Sequence, residues 1–163
     1  MEQRKRIRLE NYDYSTDGAY FITLCTQGRQ CILSKVSDGD GVSPPTIELT
    51  ELGETAKEQI LALSSRFPAI SVDKYIIMPN HIHVLLSIHS TAGGASPSPT
   101  IPAVVGAYKS ITTRLCNKKR QIGKLFQRSY YDHVVRDEND YRAIWEYIDS
   151  NAQKWHEDEL FAL

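Results

Sequence analysis

The stretch Tyr75–Ile88, Y-I-I-M-P-N-H-I-H-V-L-L-S-I, governs the reading of this 163-residue chain. Pro79-Asn80 has turn chemistry, because proline presets φ and asparagine tolerates the left-handed region. The apolar runs on either side predict two strands, about 72–78 and 81–88, joined as an antiparallel hairpin. Strand side chains alternate between faces, so Ile82, Val84, Leu86 and Ile88 line one face and read as core. His81 and His83 then stand together on the other, their Cα atoms roughly 6.5–7 Å apart at ~3.3 Å rise per residue. Two imidazoles at that separation can converge on one cation. The spacing equally suits two solvated or hydrogen-bonded histidines, so other residues have to decide.

The chain length suits one domain, residues 1–163, with a proper core. Hydrophobic residues at 41% and charged ones at 24% are those of an ordinary globular protein. No apolar run is long enough to span a bilayer, and no apolar signal region follows the charges of Met1–Arg6. Cys25, Cys31 and Cys116 are odd in number and lack C-x-x-C spacing, which argues against a disulfide framework or a zinc knuckle. A reducing cytoplasm is the expected compartment.

The formal net charge of −1 conceals a strong asymmetry. Between Lys109 and Arg136 the bases Lys109, Arg114, Lys118, Lys119, Arg120, Lys124, Arg128 and Arg136 face Asp132 alone. Residues 1–9 form a basic arm, with Arg4, Lys5, Arg6 and Arg8 against Glu2. From Asp137 onward the balance reverses, as Arg142 and Lys154 face eight acids: Asp137, Glu138, Asp140, Glu146, Asp149, Glu157, Asp158 and Glu159. Segregation of this kind is the footprint of a polyanion-binding surface, although a solvated helix face gives the same pattern.

Tyr20–Thr26 reads as a central strand, Cys31–Leu33 as a short one, and residues 34–45 as a flexible Gly/Pro-rich loop. Thr46–Leu49 alternates like a strand. Leu52, Ala56, Ile60 and Leu63 recur at helical spacing and predict a helix from about 51 to 66. A second flexible loop covers 90–100, and Pro102 opens a helix from about 102 to 120 that buries Val104, Val105, Tyr108, Ile111 and Leu115. Phe126–Arg136 reads as extended, and Asp137 caps a last helix over about 138–154. The order predicts an α+β fold, a mainly antiparallel central sheet with helices packed on it.

On the last helix Tyr141, Ile144, Trp145, Ile148 and Ala152 form one stripe, the natural core face. Tyr147 lies about 100° round from it, with Asn151 one turn further along. A phenol and an amide oxygen thus share a flank that packing does not claim, a pattern that an ordinary surface Tyr–Asn pair also satisfies.

His81-Ile82-His83 resembles the HUH motif of single-tyrosine HUH endonucleases, and the context M-P-N-H-I-H-V-L-L is similar to REP-associated tyrosine transposases. The likeness extends to R-K-R-I-R-L-x-x-Y-D-Y near the N-terminus, Tyr20-Phe-Ile-Thr, Phe126–Arg136, Asp140-Tyr-Arg, Tyr147-Ile and Asn151–Trp155, in order along most of the chain. It implies a ferredoxin-like HUH nuclease fold, with Tyr147 as nucleophile and His81, His83 and Asn151 as ligands of a divalent cation, Mg²⁺ or Mn²⁺. Tyr130, Tyr131, Tyr141 and Tyr108 are followed four residues on by Val134, Val135, Trp145 and Thr112, which are not metal ligands or are poor ones. Many relatives have Asn-Pro where this chain has Asn151-Ala152.

The resemblance further implies cleavage and rejoining of single-stranded DNA at palindromic hairpins through a 5′-phosphotyrosine, as a transposase. DNA would contact Arg4, Lys5, Arg6, Arg8, Lys109, Arg114, Lys118, Lys119, Arg120 and Arg128, mainly through phosphates. Tyr130 or Tyr131 would stack on bases or join the core. His133 is either a proton-transfer helper or a structural strand residue. The alternative is a domesticated hairpin-DNA-binding protein that does not transpose; a metal-dependent hydrolase unrelated to DNA is a third reading. The expected assembly is a monomer or homodimer.

Overall fold

A computed structural model describes residues 14, 17–89 and 99–155. Along them run β1 (Gly18–Cys25), β2 (Ser34–Ser37), β3 (Thr46–Leu49), α1 (Glu51–Leu61), α2 (Leu63–Arg66), β4 (Ile70–Ile77), β5 (His81–Ile88), α3 (Ile101–Lys119), β6 (Tyr131–Val134) and α4 (Glu138–Asp149). All eight residues of β5 are buried, which requires cover on both faces. The strand has that cover because it lies inside a four-stranded antiparallel sheet of order β4-β5-β1-β6 with helices on either side. The α+β architecture expected from the element order is the one observed.

One face is the main core. Ile82, Val84, Leu86 and Ile88 pack there with Ile22 and Leu24 of β1, under Leu52, Ala56 and Ile60 of α1 and Val104, Val105 and Tyr108 of α3. Each of the Val, Leu and Ile side chains contributes about 1.5–3 kcal/mol by leaving water. On the opposite face Leu85 packs against Ile144 and Ile148 of α4, with Phe21, Ile76, Tyr141 and Trp145 around them. That second, smaller cluster draws α4 across the surface that carries the two histidines.

Side-chain caps define the starts of α1, α3 and α4. Thr50 accepts from the Gly53 amide, Thr100 from Ala103 and Asp137 from Asp140, satisfying donors that a first helical turn leaves open.

Several expectations need correction. Residues 34–37, read as loop, form β2 and pair with β3, while Cys31–Leu33 is not a strand. Its S-K-V-S sequence has a single apolar residue, so the pairing partner supplies the order, and Asp40 closes the turn by accepting from the Val42 and Ser43 amides. The helix expected over 51–66 breaks at Ala62 into α1 and α2. In α3, Thr112 and Cys116 take the innermost positions expected of Ile111 and Leu115, which are half-buried. The stripe is therefore set by helix geometry from Ile101, Val104 and Tyr108, and polarity yields to it. The last helix stops at Asp149, five residues before its expected end at 154. The arm 1–9 and most of the 90–100 loop lie outside the described residues. Among the described residues no helix is long and apolar enough to cross a membrane.

Candidate active site on the sheet face under the last helix

His81 and His83 are both buried, with ring centroids 4.6 Å apart. Their outer nitrogens are already oriented. His81 Nδ1 lies 2.8 Å from Asn80 Oδ1, and an amide oxygen can only accept, so Nδ1 donates in this contact and Nε2 is the nitrogen left to meet a cation. His83 Nδ1 lies 2.8 Å from Thr23 Oγ1, an atom of β1 that the strand register brings directly opposite. Burial first, and then the neighbouring His81, depress the His83 pKa to about 3, so this imidazole is neutral at ordinary pH. A neutral ring fixed through one nitrogen is the form that binds a cation through the other.

The segment following Ile144 closes over the pair. Tyr147 puts its ring 5.3 Å from that of His83, and Trp155 stacks on His81 with centroids 6.0 Å apart. Between these two anchors lies Asn151, which is 2% exposed. Asn151 Oδ1 and His83 Nε2 are both buried and have no hydrogen-bond partner among the described residues. Orphaned polar atoms of this kind cost about 1–3 kcal/mol each, and a shared ligand removes that cost. Asn151 thus departs from the expected exposed flank. Because α4 ends at Asp149, Asn151 belongs to the turn beyond it, its backbone N–H bonded to Ile148 O at 3.2 Å, and its side chain is buried. Tyr147 stays on the helix and is 42% exposed, open to a large partner.

Two sets of contacts fix α4 in this position. At a bulge in β4, Asp73 accepts from Ser71, Ser87 and Tyr141 hydroxyls, at 3.0, 2.5 and 2.8 Å. Further along, Lys74 pairs with Asp149 and lies 4.3 Å over the Trp145 ring. His133, a candidate helper, instead holds Asp140 at the start of α4 at 2.7 Å. The Arg136 backbone N–H and His133 together keep the Asp140 carboxyl below its usual range.

The donor set suits a divalent cation: two imidazoles and an amide oxygen are three donors, fewer than such a cation takes, so substrate oxygens could complete the shell. No group of three His, Cys, Asp or Glu that could hold a metal occurs among the described residues, so the third protein donor would be the amide. Thr23, Asn80 and Trp155 were not singled out from sequence as parts of the site. Thr23 follows the two-residue alternation of β1, but its partner strand and register are tertiary facts.

The basic residues occupy the other layer. Arg114, Lys118, Lys119, Arg120 and Arg128 are exposed on α3 and the segment after it, and a groove there is lined by Arg114, Lys124 and Arg128 among others. Lys109 differs, since its ammonium donates to the Gln127 and Arg128 carbonyls at 2.6 and 3.0 Å and ties that segment to α3. Arg4, Lys5, Arg6 and Arg8 lie outside the described residues. Tyr130 is core, whereas Tyr131 is exposed.

The sheet thus presents paired imidazoles to a helix-borne tyrosine, the juxtaposition expected from the motif. Residues 49–151, more than half of the chain, match the family model described as transposase IS200-like. A Haemophilus influenzae protein described as uncharacterized is 30% identical over 176 residues, covering 99% of this chain and 94% of its own. The fold is similar to that of a REP-associated tyrosine transposase solved bound to a REP hairpin, with TM-score 0.63, 16% identity, and coverage of 92% of this chain and 73% of that one. It is also similar to a candidate transposase of Deinococcus radiodurans R1, with TM-score 0.52, 20% identity, and coverage of 88% and 95%. The chain belongs to the IS200-like transposase family, and its function is transposase-type processing of DNA.

Proposed function

We propose that the protein cleaves and rejoins single-stranded DNA beside a hairpin, using Tyr147 as nucleophile and a divalent cation held by His81, His83 and Asn151. The observation that carries this reading is the pair of orphaned buried acceptors, His83 Nε2 and Asn151 Oδ1, in the shell that Tyr147 and Trp155 close over the histidines. A cation bound there supplies Lewis-acid polarisation of the scissile phosphate, and the imidazole ligands favour Mn²⁺ over Mg²⁺.

The chain's own residues do the rest. The Tyr147 phenol forms a bond to phosphorus as the bond to the 3′ oxygen breaks; the phenol proton is lost and the departing oxygen gains one, leaving a 5′-phosphotyrosine and a free 3′-hydroxyl. The covalent ester keeps the reaction reversible, so a second 3′ end can displace the tyrosine without ATP. Asn80 and Thr23 hold the two rings in orientation, and Trp155 and Phe21 cover their outer faces against water. The REP hairpin bound by the structurally similar transposase supports a hairpin as the feature recognised.

The test incubates the protein and Mn²⁺ with a pool of hairpin oligonucleotides bearing single-stranded flanks, and resolves covalent protein–DNA adducts by denaturing electrophoresis. Wild type gives an adduct; Tyr147→Phe gives none while retaining hairpin affinity, and His83→Ala loses both adduct and Mn²⁺ binding. Hairpin binding by wild type with no adduct under any divalent metal refutes the nuclease reading and leaves a DNA binder.

A further inference from the structure

The exposed aromatic rings among the described residues are Tyr147 and Tyr131, and both lie on the histidine face. Tyr131 is directly opposite Thr23 in the antiparallel β1–β6 ladder, so the two side chains share a face. Thr23 in turn holds His83. Tyr131 therefore stands two strand spacings from His83, about 10 Å across the sheet, and is 51% exposed. The sheet edge there is β6.

Charge distinguishes the two ends of that edge. Beyond Val134 the chain enters the acidic first turn of α4, with Glu138 and Asp140. Ahead of Tyr131 comes Arg128, which is exposed and lines the groove shared with Arg114 and Lys124. The groove lies at the histidine end of the sheet, because Phe126 bridges Thr26, the residue after Cys25, which is paired with His81. A polyanion leaving the site over this edge meets a cationic groove at the Tyr131 end and carboxylates at the other.

Resting on the proposed function, we infer that Tyr131 is a stacking platform for an unpaired base flanking the cleaved phosphate, and that the single strand passes over the β6 edge into the groove of Arg114, Lys124 and Arg128. Stacking tolerates any base, so the contact fixes the position of the strand and leaves sequence choice to other groups. Structural burial does not require the ring, since half of it is in solvent.

Fluorescence anisotropy of the full chain with a labelled oligothymidine of roughly 12 nucleotides tests the inference, without needing the natural hairpin. Tyr131→Leu keeps an apolar side chain without a π face and Tyr131→Ala removes it; both are expected to weaken binding about 5- to 150-fold, the equivalent of ~1–3 kcal/mol per stacked base. Tyr131→Phe and Tyr131→Trp restore it. A single 2-aminopurine in the oligomer is quenched by wild type, Tyr131→Phe and Tyr131→Trp only. Wild-type affinity in Tyr131→Leu, or equal weakening in Leu and Phe, overturns the inference. The adduct lost in Tyr147→Phe is a separate readout, so failure of the stacking platform is distinguishable from failure of the nuclease reading.

Discussion

Replacing Thr23 with valine removes one hydroxyl, preserves the shape of the side chain, and leaves every proposed cation ligand in the sequence. Thr23 is 7% exposed, and its Oγ1 is 2.8 Å from His83 Nδ1. With His83 Nε2 reserved for a ligand, Nδ1 carries the proton, so the substitution leaves a buried N–H without its partner at a cost of about 1–3 kcal/mol. The ring also loses the contact that fixes its tautomer and its orientation. Loss of an outer partner of a ligating histidine lowers metal affinity about 10- to 100-fold, or ~1.4–2.8 kcal/mol. Isothermal titration with Mn²⁺ measures the affinity directly, and thermal melts with and without Mn²⁺ separate it from metal-free stability. Thr23→Ser restores the hydroxyl and is expected to recover most of the affinity, while Tyr147→Phe leaves it unchanged because the phenol is not a proposed ligand. Wild-type Mn²⁺ affinity in Thr23→Val refutes the assignment of Thr23 as the group that presents His83 to the ion.

Gly53 tests the packing of α1. Glycine to alanine inside a helix usually stabilises by ~1 kcal/mol, but a Cβ at Gly53 would stand 2.0 Å from the Leu33 carbonyl oxygen. Gly53→Ala is therefore expected to lower stability by about 1–3 kcal/mol in a denaturant melt, and an unchanged or raised midpoint contradicts the close approach. Tyr141 tests the anchoring of α4 through pH. Burial first, and then the hydrogen bond to Asp73 and its charge, push the phenol up to about 12. Its unfolded value is ~10, so its contribution is complete below pH 10 and is lost as pH rises through 12. Tyr141→Phe is expected to be less stable than wild type by about 0.5–1.5 kcal/mol at pH 8, because the partly buried bond is screened by solvent, with the gap narrowing above pH 10; a constant gap between pH 8 and 11.5 rules out the bond as its source.

How far the sequence reached is clearest at the site. Alternation alone separated His81 and His83 from Ile82, Val84 and Leu86, and helical periodicity alone set Tyr147 apart from Ile144 and Ile148. Both are properties of neighbours along the chain, fixed by backbone geometry before anything folds. The register that sets Thr23 against a histidine 60 residues away, the early end of α4 that turns Asn151 inward, and the opposite layers taken by α3 and the histidines are not such properties. They depend on which strand neighbours which and on which face each helix covers, and those outcomes are decided by the shared burial of distant apolar surfaces.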